Sequence, residues 1–308
     1  MKAALVFSIA ILAACQPATP AAPTSASAAR LAADVDTLAS PAFKGREAGT
    51  AGADSAAEFL ARRYDQLGLR AAFHISCDSS PHCRASYFQL FRIPEGFCHN
   101  VGAIVDGLDS ARRDDYVVVG AHFDHLGHSP SFALDRYAGF VLRPGADDNA
   151  SGTAALLELA RRFANRAAKR PILFVNFDAE EKGLIGSRAL LSDPPVSRKA
   201  MFFMVNLDMV GRLRGGRLFV ESQRIESRVR FIVDSAGKAL GVRPQFIPSE
   251  GRTDVATFER EGIAAIGLTT GYHADYHTAS DVPVHLNVRG LDRVVDLAEV
   301  VVRRIADW

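Results

Sequence analysis

From Tyr116 onward, short apolar runs that read as strands alternate with longer segments whose apolar residues recur every three or four positions. The run 116–121 has almost no polar break, as expected of a strand buried on both faces at the centre of a sheet. Further strands are expected over 172–177, 201–207, 218–220 and 264–268, with helices over 151–165, from about Leu184, over 225–240 and over 287–306. Upstream, helices are expected near 30–39 and over 53–67, the second stopped by Gly68, followed by strands over 87–93 and 100–105. Strand followed by helix, repeated, gives a mostly parallel sheet covered on both faces. Composition does not change after residue 30, so one domain over 30–308 is expected.

The N-terminal residues read as an address rather than as structure. Lys2 supplies a positive end, 3–14 an apolar run too short for a permanent span, and Leu12-Ala13-Ala14-Cys15 ends it. LAAC resembles a bacterial lipobox, so 1–14 is expected to be a lipoprotein-type signal peptide and Cys15 the lipidated residue; an ordinary cleaved signal is the alternative. Gln16 rather than Asp after the cysteine favours the outer membrane. The Pro/Ala/Ser/Thr-rich stretch 15–29 is expected to be a disordered tether. In an exported protein Cys77 and Cys83 could close a short disulfide loop, leaving Cys98 odd; free thiols are the alternative.

Charge narrows the partners. Lys+Arg 36 against Asp+Glu 35 leaves a net +1, which provides no basic field for nucleic acid. Peptides or small molecules are the expected substrates, and the membrane is reached only through the lipid on Cys15. Oligomeric state is left open.

Histidines and acids stand where the expected strands end. They fall in GAHFDHLG (120–127), PGADDNASG (144–152), NFDAEEKGLIGS (176–187), NLDMVG (206–211) and DYHTASD (275–281). Ligands collect at the carboxyl ends of strands in open α/β sheets. His122 follows one strand, Glu180 and Glu181 another, and Asp208 a third, while His277 lies beyond a fourth and Asp148 just before a helix that Asn149 and Ser151 could cap. Taken singly, each is better explained as a loop histidine, a solvated acidic turn or a helix cap. Together they are imidazoles and carboxylates of the kind that hold zinc. Asp208 is the sharpest case, because it emerges from the apolar run 201–207 and needs a cation to offset its burial.

These segments, in order and spacing, resemble the motifs of the secreted bacterial di-zinc aminopeptidases of metallopeptidase clan MH, whose relatives include glutamate carboxypeptidases and glutaminyl cyclases. The resemblance covers roughly residues 30–305. It implies a three-layer α/β/α sandwich around a mixed, mainly parallel sheet, and two zinc ions. It also implies roles. Asp148 matches the carboxylate bridging both zincs, His122 and Asp208 the other ligands of one, and Glu181 and His277 those of its neighbour. Glu180 matches the general base, and Asp124 the carboxylate that orients the His122 ring. Tyr276 matches a tyrosine that in some relatives donates to the oxyanion; a packed rim tyrosine is the alternative. Arg252, Thr253 and Asp254 fall in a loop whose counterpart borders the site.

Other features stay open at this level. His125 and His128 are expected near the ligands but outside them, in supporting or solvent-exposed places. The stretch 129–143 carries Phe132, Tyr137, Phe140 and Leu142, and forms either part of the pocket wall or a locally packed loop. The implied activity is hydrolysis of an N-terminal peptide bond. Rivals are a glutaminyl cyclase, a carboxypeptidase drawing on Arg143, Arg212 or Arg252 to hold an acidic C-terminal residue, and a catalytically silent binding domain.

Overall fold

The computed structural model describes residues 25–74 and 85–308. Cys15, Cys77 and Cys83 lie outside the described residues, as do the signal peptide and most of the tether. No described helix is long and apolar enough to cross a membrane.

The chain begins with helices α1 (Ala26–Leu38) and α2 (Ala51–Gln66), then short strands β1 (Arg70–Ala71), β2 (Phe73–His74) and β3 (Ala85–Ser86). Strands β4 (Phe88–Ile93), β5 (Gly96–Val105) and β6 (Tyr116–His122) follow, then α3 (Gly152–Asn165), β7 (Ile172–Phe177), α4 (Ile185–Ser192) and β8 (Met201–Leu207). The last third runs β9 (Arg217–Glu221), α5 (Ser227–Leu240), β10 (Arg243–Ile247), α6 (Val255–Arg260), β11 (Ala265–Thr269) and α7 (Val288–Ala306). One 9-stranded sheet orders β1-β5-β7-β6-β8-β11-β9-β10, with β4 paired to β5. Its centre, β7-β6-β8-β11, is parallel; β5 and β9 flank that centre antiparallel.

Side chains alternate across the central strands and so build two cores. Val117, Val119, Ile172, Phe174, Phe203 and Val205 face the larger core, where α1, α2, α3, α5 and α7 pack. Val118, Leu173, Val175, Phe177 and Met204 face the smaller one, beneath α4 and α6. The result is the expected three-layer α/β/α sandwich. Its parallel centre aims the ends of β6, β7, β8 and β11 at one rim, and that rim carries the site.

Boundaries departed from expectation where long-range contacts decide them. Helix α1 starts at Ala26 rather than near 30, so the end of the expected tether 15–29 is helical. Ser25 caps it by accepting from the Ala28 amide at 2.9 Å. Ser27 and Arg30 then reach Glu158 on α3, at 3.0 Å and 2.9 Å. Glu158 is buried and also receives Arg161 and Arg162, so one carboxylate fastens the first helix to the third. The two-residue strands β1, β2 and β3 were not expected, nor were two longer elements. Strand β10 is a half-exposed edge with little apolar signal, and α6 is too short to show a helical period.

Candidate metal centre

The last residue of β6 is His122, whose ring is buried and whose Nε2 faces Asp148 Oδ1 and Asp208 Oδ1, both at 3.4 Å. Asp148 turns its other oxygen the opposite way: Oδ2 lies 3.1 Å from His277 Nε2. That same Nε2 lies 3.1 Å from Glu181 Oε2. A single carboxylate therefore stands between two imidazole-carboxylate groups. All six residues singled out in the sequence meet here, since His122, Asp148, Glu180, Glu181, Asp208 and His277 line one cavity.

Local backbone strain accompanies the placement. Ala179, Met209 and His277 hold left-handed conformations (φ 56, 53 and 54), beside Glu180, beside Asp208 and at a proposed ligand itself. Each such residue costs about 1–3 kcal/mol, and the surrounding packing must hold it there. Gly145 (φ 58) starts the turn to Asp148; a Cβ on it would overlap the Asp148 carbonyl and the His125 ring, so only glycine fits.

The turn 146–151 is fixed from several sides. Asp281 Oδ2 accepts the Asp147 and Asp148 amides at 2.9 and 3.0 Å, and its Oδ1 takes Arg212 at 2.8 Å. Asn149 caps α3 as expected, accepting from the Gly152 amide at 2.9 Å, and also accepts the Met209 amide beside Asp208 at 3.1 Å. Ser151 does not cap; it donates to Asp147 and accepts the Val210 amide. Buried Arg46 donates to the carbonyls of Phe123, Pro144 and Gly145, tying the His122 loop to the Asp148 turn.

Asp124 does more than face the His122 ring. Its Oδ1 is 3.6 Å from His122 Nδ1, which is nearer the Asp124 carbonyl at 3.2 Å. Its two carboxylate oxygens instead accept the Glu180 and Glu181 amides at 2.9 and 3.2 Å. One acid thus positions both glutamates. His277 is steadied from elsewhere: its Nδ1 meets the Phe132 carbonyl at 3.0 Å and its carbonyl accepts the Leu134 amide at 3.0 Å.

The loop 129–143 consequently has two faces. Phe132 and Leu134 line the cavity, whereas Tyr137 and Phe140 are 90% and 81% exposed and stand outside it. Arg143 folds the loop from within, donating to Asp135 at 2.7 Å and to the carbonyls of Ser129 and Val141. Arg143 and Arg212 are therefore buried structural cations rather than free binders of an acidic C-terminus. Arg212 is held by Asp275 and Asp281. Arg252 and Thr253 do line the cavity.

The remaining candidates separate by burial. His128 is exposed. His125 is buried, with Nδ1 3.0 Å from Glu181 Oε1 and 3.7 Å from Asp148 Oδ2, so its ring forms a wall of the cluster. Tyr276 stacks on the His277 ring at 3.8 Å and lines the cavity. Cys98 is buried and is not in a disulfide. His273, which drew no attention in the sequence, approaches Asp147 Oδ2 at 3.2 Å. Asp254 is buried with neither carboxylate oxygen hydrogen-bonded among the described residues, and burial pushes it up to about 7.

Electrostatics define what the cluster lacks. Burial alone would lower His277, but hydrogen bonds to Asp148 and Glu181 outweigh it and raise the imidazole to about 10. His122 is likewise raised against burial by Glu180 and Asp208. Asp208 Oδ1 has no hydrogen-bond partner among the described residues, although it is buried. Several carboxylates buried together without a matching set of basic side chains call for bound cations. Two overlapping donor groups converge closely enough to hold them: His122, Asp148 and Asp208, and His125, Asp148 and Glu181. His277 reaches the second group through the 3.1 Å contacts already described. Imidazole and carboxylate donors fit zinc.

A sequence profile of "Peptidase family M28" matches residues 100–302, about two thirds of the chain and the whole of this rim. The chain belongs to peptidase family M28. Among curated relatives of this M28 chain, "Aminopeptidase YwaD" of Bacillus subtilis is 29% identical over 205 residues, covering 62% of this chain and 41% of that protein. The "Alkaline phosphatase isozyme conversion protein" of Escherichia coli is 25% identical over 242 residues, covering 73% and 68%. The M28 chain therefore spans less than half of the Bacillus relative it matches. Among solved structures, the zinc aminopeptidase BSAP of Bacillus subtilis superposes with TM-score 0.72 at 18% identity, over 91% of this chain and 95% of that one. A Zn-dependent exopeptidase of Parabacteroides distasonis gives 0.71 at 21%, over 90% and 97%. These superpositions show a shared fold.

Proposed function

We propose that this M28 chain is a zinc-dependent exopeptidase that hydrolyses the N-terminal peptide bond of peptides, with Glu180 as general base. The observation that carries the reading is geometric: Glu181 stands in a donor group, 3.1 Å from His277 Nε2, whereas its neighbour Glu180 lines the same cavity and belongs to neither group, and the two carboxyls are displaced in opposite directions. Burial and Asp148 push Glu181 up, but hydrogen bonds from His125 and His277 prevail and hold its carboxyl below the usual range. Burial, together with the neighbouring charges of Glu181, Asp254 and Asp208, pushes Glu180 well above it despite the pull of His122. Neighbouring titratable groups driven apart in this way are suited to different tasks. Glu181 is the ligand; Glu180, whose carboxyl has no hydrogen bond among the described residues, is free to move a proton.

His122, Asp148 and Asp208 would hold one zinc, and Asp148, Glu181 and His277 the second, with Asp148 shared. Bound there, zinc supplies an acidified water and polarises the scissile carbonyl. The residues of the chain do the rest. Glu180 accepts the proton of the attacking water on a carboxylate oxygen and passes it to the departing amine nitrogen. Asp124 keeps Glu180 in reach through the 2.9 Å bond to its amide. The Phe132 carbonyl fixes the tautomer of His277 by accepting a hydrogen bond from Nδ1–H, which leaves Nε2 free to bind metal. The hydroxyl of Tyr276, kept protonated by burial and by Asp148 and Glu181, donates to the developing oxyanion.

Several relatives are named aminopeptidases, and this supports release from the N-terminal side. Arg143 and Arg212 are committed to Asp135, Asp275 and Asp281, which weighs against the carboxypeptidase alternative. We place the enzyme in the cell envelope with a lipid on Cys15, on the strength of the sequence alone. One panel tests the activity: peptides with free, acetylated and glutamine N-termini, with product masses read before and after chelation. Loss of the first residue from the free peptide only, abolished by chelator and restored by zinc, is expected. A C-terminal residue released from the acetylated peptide, or loss of ammonia from the glutamine peptide, would contradict the proposal.

A further inference from the structure

Beyond the metal centre the cavity, about 1060 Å³ in all, is large enough for several residues of a peptide. Its outer wall is cationic. Arg188, Arg214, Arg217, Arg252 and Arg260 all line it, and all are exposed. None forms an ion pair with another described residue, in contrast to the neighbouring Arg212, which is held by two aspartates. The acids on this part of the wall are Glu221 and Glu250. Glu221 is buried, accepts a hydrogen bond from Thr253, and is pushed up to about 7 by burial, so it opposes the arginines only in part.

The whole chain carries +1, so five arginines on one wall are a local concentration rather than a reflection of composition. Two short turns present three of them, and the last residue of α6 supplies a fourth, Arg260. Arg214-Gly215-Gly216-Arg217 closes through the Arg217 amide on the Arg214 carbonyl at 3.1 Å, with both glycines in left-handed backbone. In the second, Gly251 (φ 77) sets the turn that carries Arg252, and the Arg260 guanidinium lies over the Gly251 carbonyl at 3.5 Å. The carboxylates of the metal centre cannot neutralise this wall once they are committed to cations.

We propose that the arginine wall binds a carboxylate of the substrate on the part of the peptide that lies away from the metal centre. The inference rests on the exopeptidase reading and narrows its substrates to peptides with an anionic end. Two sources supply that group: the free α-carboxylate of a short peptide, or an Asp or Glu side chain. Several guanidiniums lining one cleft raise its potential together and so attract an anion, where a lone exposed ion pair would contribute little.

The test compares Leu-Ala-Ala with a free C-terminus, the same peptide as its C-terminal amide, and Leu-Ala-Glu amide. Hydrolysis is followed as KM and kcat, and binding to the zinc-loaded Glu180→Gln protein is followed by calorimetry. The free acid is expected to show a KM about five- to tenfold below that of the amide, falling toward parity as ionic strength is raised to about 0.5 M. Leu-Ala-Glu amide matching the free acid assigns the wall to side chains; matching the plain amide assigns it to the α-carboxylate. In Arg214→Gln/Arg217→Gln or in Arg252→Gln/Arg260→Gln, the acid-to-amide ratio should collapse toward one. Equal KM and equal binding for all three peptides, or a preference that survives in both double variants, would overturn the inference. A binding preference without release of leucine from any peptide would keep the wall and remove the exopeptidase reading instead.

Discussion

Glu180→Gln is expected to lower kcat by about 10²–10⁴ while the protein still binds about two zinc ions per chain. The amide is nearly isosteric, so the bond from the residue's own backbone N–H to Asp124 and the turn that places it are kept. What disappears is the carboxylate that, unlike Asp148, Glu181 and Asp208, lines the metal end of the cavity without standing in either donor group. Zinc analysis and steady-state kinetics on the same sample decide the matter. A loss of metal in this variant would mean that the roles of Glu180 and Glu181 had been exchanged.

Asp148→Ala should have the other large effect, with zinc content falling below about one per chain, activity becoming undetectable, and zinc no longer raising the unfolding temperature. The reason is geometric. Asp148 Oδ1 faces His122 and Asp208, whereas Oδ2 faces His277, so one truncation strips a donor from both groups. Retention of one tightly held zinc with partial turnover would show that His125, Glu181 and His277 suffice as a site without the shared carboxylate.

Much of this candidate centre could be read from the sequence because its proposed ligands stand where apolar runs stop. His122 closes β6, Glu180 follows β7 and Asp208 follows β8; in a parallel sheet those ends share a rim. The supports were not legible, because they are contacts between distant parts of the chain. Nothing local to Phe132 announces that its carbonyl meets His277, nor does Asp281 announce that it receives the amides of Asp147 and Asp148. Arg46 drew no attention in the sequence, yet it is buried and serves three carbonyls of the site. His125 was expected in a supporting or exposed place. Its burial against Glu181 follows from Gly145, which lets the turn to Asp148 approach the ring closely. The start of α1 was missed for a similar reason, since Glu158, not local propensity, draws Ser27 and Arg30 into the fold.

The proposed mechanism requires two metals that share Asp148 while Glu180 remains unligated. Anomalous diffraction from zinc-loaded crystals tests it most directly. Two peaks are expected about 3.5–4 Å apart, one beside His122 and Asp208 and the other beside Glu181 and His277, with Asp148 between them. A single peak, or Glu180 within bonding distance of either metal, would contradict it.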